Sequence, residues 1–155
     1  MLKRVISAAI GLLILILVFA ANNMAVLNIA VTIIALIGIS EFYNALKAKN
    51  VKPIETIGYI AALPILGIGY LEPDILKIIL FFTLPLAIFV LFFKSIWSNL
   101  KHNIIDIAIT IMGIIYVPFL LSFIPLTRSL ENGQYFIWYL LAGAWVTDTC
   151  AYFVG

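Results

Sequence analysis

Three carboxylates in this sequence stand where charge is costly. Asp148 lies within "GAWVTDTCAYFVG", Glu41 within "IGISEFYNALK" and Asp106 within "HNIIDIAITIMG", each in or at the edge of a long apolar run. An acid deep in a bilayer costs about 2.5–3.5 kcal/mol on insertion scales, so such side chains face a cavity, a cation or a hydrogen-bonding partner. The chemistry open to them is narrow: holding a metal ion, carrying a proton, orienting a cationic group, or accepting a packing hydrogen bond. For Asp148 the spacing adds information. Ala144, Asp148, Ala151 and Gly155 recur at i, i+4, i+7 and i+11, on one stripe of a helix, while Tyr139, Val146 and Phe153 lie opposite. Small residues beside the acid predict close approach of another helix or a ligand, with the bulky face toward lipid.

The other two acids have plainer readings. Asp106 falls in the first turn of its run, beside Lys101 and His102, where an acid favours the positive end of a helix. An interfacial cap is expected there, with His102 solvated. Glu41 is near the end of its helix, so it either snorkels toward Lys47 and head groups or serves a site. The lone Cys150 has no second cysteine to pair with, no His/Cys spacing points to zinc, and a small buried side chain is expected.

What positions these groups is a set of apolar runs. Of 155 residues, 65% are apolar and 10% charged, and the mean hydropathy is +1.22. No soluble domain has that balance, and a net charge of +2 is too small to imply nucleic-acid binding. The expected fold is all-α, a polytopic membrane bundle of about six helices forming a single domain over 1–155, with spans near 5–21, 24–43, 56–71, 75–93, 104–124 and 135–155. The first run follows Lys3 and Arg4 and could be a signal peptide. Its length, about 25 Å at 1.5 Å per residue, favours a retained helix. Asn22 and Asn23 turn it into the second. Thr56–Leu71 is the weakest run, because Pro64, Gly67 and Gly69 predict a helix that is kinked, thin or re-entrant. Pro85 and Pro118 lie within later runs, which argues for a packed bundle whose neighbours satisfy the freed carbonyls.

Orientation follows from the basic residues. With a cytosolic N-terminus, Lys3, Arg4, Lys47, Lys49, Lys52, Lys94 and Lys101 collect on one side and only Lys77 and Arg128 on the other. Both termini are then cytosolic, with the loops around Asn22, Pro73 and Gly133 outside. A helix entering from outside at Tyr135 carries Asp148 about 20 Å down a core of about 30 Å, into the cytosolic half. Glu41 and Asp106 reach a similar depth from their own helices.

The run Asp148-Thr149-Cys150-Ala151-Tyr152-Phe153-Val154-Gly155 resembles the "D-[ST]-x-A-Y-x-x-G" stretch of the phosphatidate cytidylyltransferases, also called CDP-diglyceride synthases. "LKRVISAAIG" is similar to that family's usual start, and "SEFYNALKAKNVKP" to the end of its second helix, where a Glu and an aromatic precede a basic loop. The resemblance implies a nucleotidyltransferase of phospholipid biosynthesis in the cell membrane, its active side cytosolic, making CDP-diacylglycerol and pyrophosphate from CTP and phosphatidic acid with Mg2+. It implies a catalytic and metal-binding role for Asp148, and substrate contacts for Tyr152, Gly155 and Glu41. CTP, phosphatidic acid and membrane lipids are the implied partners, with a homodimer left open and no nucleic acid.

Two departures accompany the likeness. Cys150 stands where Gly is common, and the family's basic glycine loop and later Lys/Asp/His/Gly-rich segment have no counterpart up to Gly155. The expectation is therefore an N-terminal portion, inactive alone, whose C-terminal catalytic portion lies beyond this sequence. Two readings from other classes stay beside it: a small transporter or channel subunit whose Asp148 binds an ion or proton, and a membrane scaffold for which the small-residue stripe is the partner face. The sequence carries neither the internal symmetry of the first nor the "D-G-x-x-A-R" pattern of the CDP-alcohol phosphotransferases.

Overall fold

The computed structural model describes residues 11, 13–47, 51–68, 70–98 and 103–154. Lys3, Arg4, Lys49, Lys101, His102, Gly155 and most of the first apolar run lie outside the described residues. Those described are helical, with no strand. They form α1 (13–20), α2 (Met24–Lys47), α3 (Glu55–Ala62), a tighter 3-10 segment (Leu63–Gly67), α4 (Pro73–Trp97), α5 (Ile104–Ile114), a π turn (Ile115–Phe119), α6 (Leu120–Arg128) and α7 (Gly133–Val154). Among the described residues, three stretches are long and apolar enough to cross a membrane: Met24–Lys47, Asp74–Trp97 and Ile104–Arg128.

Side-chain bonds between elements fix how the helices run. Lys47 meets Glu55, and Asp106 accepts from the Lys52 N–H, so α2 ends where α3 and α5 begin. At the other end Asn28 reaches the carbonyls of Leu66 and Ile68, and the Arg128 guanidinium donates to Asn22. Successive helices are therefore antiparallel, with α5 and α6 counted as one rod, between an Asp106 end and an Asn22 end.

Asparagine sets the turns at the Asn22 end. Asn22 and Asn132 have φ of 48° and 60°, the left-handed region that Asn enters more readily than bulkier residues. Asn23 then caps α2 by accepting from the Ala25 N–H at 2.8 Å. Gly133 opens α7 against the carbonyls of Thr127 and Arg128, where a Cβ would overlap backbone, so α7 folds closely onto the last turn of α6.

α2 is the central helix. Its buried Leu27, Val31, Ala35, Ile39 and Tyr43 are spaced four apart, an i±4 ridge, and they feed two cores. Near the Asn22 end Leu27, Val31 and Ala35 pack with Ala62, Ile65, Ile68, Leu76 and Ile137. Near the Asp106 end Ile39 and Tyr43 pack with Ile54, Ile57, Ala87, Leu91, Ile107 and Ile114. Tyr43 is fully buried between Gly58 and Gly113, where a Cβ on either would overlap its ring, and its hydroxyl donates to the Thr110 carbonyl at 2.9 Å.

The prolines act locally. Pro64 turns the end of α3 into the 3-10 segment, leaving a helix of 13 residues over 55–67. At ideal rises that stretch is about 22 Å long, short of a core of about 30 Å. Asn28 takes up the carbonyls of Leu66 and Ile68 at 3.2 and 2.6 Å, while its Oδ1 and the Thr32 Oγ1 stay buried without a described partner. Pro118 lies in the π turn, which keeps α5 and α6 in one rod, and Pro85 sits inside a continuous α4.

Crowding around Tyr43 gives the first prediction. Gly113→Ala and Gly58→Ala should each cost about 1–3 kcal/mol through overpacking, and Tyr43→Phe less, about 0.5–1.5 kcal/mol for one hydrogen bond. Thermal unfolding in detergent, followed by circular dichroism, orders the three. A Gly113→Ala protein as stable as wild type would contradict the packing.

Candidate functional site

α7 holds the acid that the sequence singles out. It leaves the Asn22 end with Gly133 and Ile137 buried, and Trp138 lies against Phe19 with ring centroids 6.0 Å apart. Asp148 follows Gly133 by fifteen residues, about 22 Å along the helix toward the Asp106 end. From Ala142 to Val154 every residue is exposed, and at Gly143 a Cβ would meet nothing within 4 Å. Asp148 accordingly has no hydrogen bond or ion pair among the described residues.

Two expectations are corrected there. The stripe of Ala144, Asp148 and Ala151 is not covered by any described residue, and it is as open as Val146 and Phe153 on the face expected to meet lipid. Cys150 is exposed, not buried. The physical reason is common to both: after Leu141 no described helix runs beside α7, so neither face has a neighbour to bury against. Tyr152, on the same stretch, is 84% exposed, and its ring leans on Phe153.

Asp106 is the cap expected of it, and more. Asn103 accepts from the Asp106 N–H at 2.9 Å, and the Asp106 carboxylate accepts from the Asn103 N–H at 3.0 Å, a reciprocal capping box. The other carboxylate oxygen accepts from the Lys52 N–H at 2.7 Å. Two residues on, the Ile54 N–H donates to Thr110 Oγ1 at 2.9 Å. Residues 52–54 are thus pinned to the first turns of α5. Both oxygens of this buried carboxylate already hold backbone donors, so Asp106 serves the scaffold.

Glu41 does not meet Lys47. The Lys47 ammonium turns instead to Glu55, 2.5 Å away, and to the side-chain oxygen of Asn44 at 3.1 Å. Glu55 also accepts from the Tyr59 hydroxyl at 3.1 Å. Tyr59 in turn lines an open groove of about 360 Å3 with Leu36, Ile37, Ser40 and Glu41. Glu41 therefore shares a groove with a phenol whose hydroxyl leads to an ion pair. Glu55 and Tyr59 were not singled out from the sequence. Their signal is present in "PIETIGY", an acid at the head of an apolar run with a tyrosine one turn on, yet nothing local points to Lys47 as its partner.

The polar groups of the Asp106 end thus fall into committed and available sets. Asp106, Thr110 and Tyr43 are bound to backbone, and Lys47 to Glu55. Exposed Glu41 and Asp148 are the carboxylates left to meet a ligand. Among the described residues no three of His, Cys, Asp and Glu come together as a metal cluster, so a cation held here would draw on one or two carboxylates and on the ligand's own oxygens.

The Lys47–Glu55 clasp sits at the polar end, ahead of the apolar run of α3. The Lys47 ammonium, first by its hydrogen bond and also by its charge, and the Tyr59 hydroxyl hold the Glu55 carboxyl below its ordinary value of 4.5, against partial burial, which raises it. A lowered folded-state value stabilises the protein above about pH 4.5 and ceases to do so as pH falls through that lowered value. The stability difference between wild type and Glu55→Gln should accordingly be constant near neutrality and narrow as pH falls below about 4.5 through the lowered value. A difference that stays undiminished until the protein unfolds in acid would show that the clasp contributes nothing through its charge.

Comparison with known proteins comes down to one match. No curated protein and no solved structure matches the chain. A family model does, over residues 2–155, and its description is the cytidylyltransferase family. That span takes in the exposed Asp148, the Glu41 groove and the pinned residues 52–54 alike, and it agrees with the likeness carried by the "DTCAYFV" run. This chain belongs to the cytidylyltransferase family, that of the CDP-diglyceride synthases.

Proposed function

We propose that the protein transfers the cytidylyl group of CTP to phosphatidic acid, in the cell membrane and from its cytosolic side. The observation that carries this reading is Asp148: the acid of the family-like run stands exposed on α7, with no partner among the described residues, at the helix end facing away from Asn22. An intramembrane carboxylate that packing does not use is available to a ligand. In the proposed reaction an oxygen of the lipid phosphate attacks the α-phosphorus of CTP. A new P–O bond forms to the lipid, the bond to the bridging oxygen of the β-phosphate breaks, and pyrophosphate leaves.

Such a site must meet about four negative charges on the nucleotide, so it needs cations placed in advance. Mg2+ suits the donors present, because it binds through one or two carboxylates together with substrate phosphates and keeps several waters. Asp148 would hold it, with Glu41 on α2 the next exposed carboxylate, and bound there it would neutralise charge on the leaving pyrophosphate. The protein's own part is positioning. Asp106 and Thr110 fix the path of residues 52–54, and with it the start of α3. Tyr152 and Gly155 belong to the proposed substrate contacts of the same run.

Sidedness rests on charge. Seven basic residues fall on the side of Lys47 and two on the side of Arg128, which assigns the Asp106 end to the cytosol. In a Cys150→Ser background, a cysteine at Pro73 should react with an impermeant reagent from outside the cell. Reaction from the cytosolic side only would overturn the assignment.

Activity is tested with radiolabelled CTP and phosphatidic acid in mixed micelles, with the chain joined to a family-like C-terminal portion, since the chain alone is proposed to be inactive. Asp148→Asn should reduce turnover about 100-fold or more, the scale for removing one electrostatic contact to the transition state, with folding unchanged because the side chain is exposed and has no bonded partner among the described residues. Normal turnover by Asp148→Asn would remove Asp148 from the site. Incorporation by wild type into other lipid acceptors, with none into phosphatidic acid, would replace the substrate.

A further inference from the structure

A second lipid-facing feature lies at the opposite end of the bundle. α4 and the rod of α5 and α6 diverge to leave a groove of about 580 Å3, within the range of about 300–1,000 Å3 usual for small-molecule sites. Phe81 and Phe82 of α4 form one wall, and Phe119, Phe123 and Leu126 the other. At 119, 123 and 126 the spacing is i, i+4, i+7, a single face about 10 Å long. That is shorter than one leaflet of about 15 Å, so the groove takes the upper part of one acyl chain.

The mouth of the groove is charged. Lys77 lines it, and its ammonium lies 3.0 Å from the Asp74 carboxylate one turn back. Both side chains are largely exposed, at 76% and 88%, and an exposed pair of this kind contributes about 0–1 kcal/mol, so the fold does not depend on it. A cation and an anion side by side, above an apolar slot, are complementary to a head group that carries both charges. We infer that this groove binds a zwitterionic phospholipid, its phosphate on Lys77, its ammonium on Asp74 and one acyl chain between the phenylalanines. An anionic lipid would bring its phosphate to Lys77 and leave Asp74 facing like charge, and a single-chain amine would leave Lys77 unmatched.

Native mass spectrometry of the protein released from nanodiscs of equal phosphatidylethanolamine and phosphatidylglycerol tests this. Wild type should retain phosphatidylethanolamine over phosphatidylglycerol on the order of tenfold, the ratio that 1.4 kcal/mol supports. Asp74→Asn should erase or reverse that preference, Lys77→Gln should lose both lipids, and Phe123→Trp, which fills the slot, should lose both with the charges intact. Equal retention of the two lipids by wild type, an unchanged preference in Asp74→Asn, or release of a lipid-free dimer would each overturn the inference. Because the groove lies at the Asn22 end, cytidylyl transfer should be unaffected in these variants, so failure here and failure of the proposed reaction are separable.

Discussion

The bundle depends on how one aromatic ring is housed. Tyr43 carries the ridge of α2 to its last turn and stops between two glycines, Gly58 on α3 and Gly113 on α5, close enough that neither could bear a side chain. Its hydroxyl must then find an acceptor in a dry interior, and the Thr110 carbonyl supplies it. Three helices are fixed to one another by that contact, and residues 52–54 follow. Thr110, whose carbonyl receives Tyr43, takes the Ile54 N–H on its hydroxyl, and Asp106 one turn earlier takes the Lys52 N–H. Packing and polar satisfaction therefore serve the same end: they bring residues 52–54 and the Lys47–Glu55 clasp to a defined place.

α7 is held differently. Its first half is fastened by Gly133 and Ile137, and its second half carries Asp148 along a path that no described helix accompanies. This division matches the chemistry proposed. The residues that fix the scaffold are buried and spoken for, while the carboxylates assigned to the ligand, Asp148 and Glu41, are exposed. The contrast between Asp106 and Asp148 makes the point most clearly. Both are acids in apolar helices, but one has backbone donors on both oxygens and the other has none among the described residues.

Much of this was legible in the sequence, and what was not has identifiable causes. Helix existence followed from the apolar runs, and Asp106 is the cap its first-turn position implied, whereas the caps at Asn23 and Asn103 are read only from the structure. The breaking of the third run at Pro64 was equally readable, since proline removes a donor wherever it falls. Partners across the bundle were not. Lys47 is one of the destinations open to Glu41, a neighbour along the chain, but pairs with Glu55 on the next helix. Helical spacing ranks faces of one element but says nothing of which face a neighbour covers. For that reason the small-residue stripe through Ala144 and Ala151, and the burial expected of Cys150, went uncovered.

Cys150 offers the most direct measurement on Asp148, because it is the only cysteine, is exposed, and lies two residues away on the same helix. A nitroxide attached there reports a paramagnetic ion held at Asp148, and Mn2+ can stand in for Mg2+. Addition of Mn2+ with CTP should broaden the label's spectrum in wild type and leave it sharp in Asp148→Asn. A spectrum unchanged by Mn2+ and CTP in wild type, or broadened equally in both proteins, would contradict Asp148 as the residue that meets the metal-bound nucleotide.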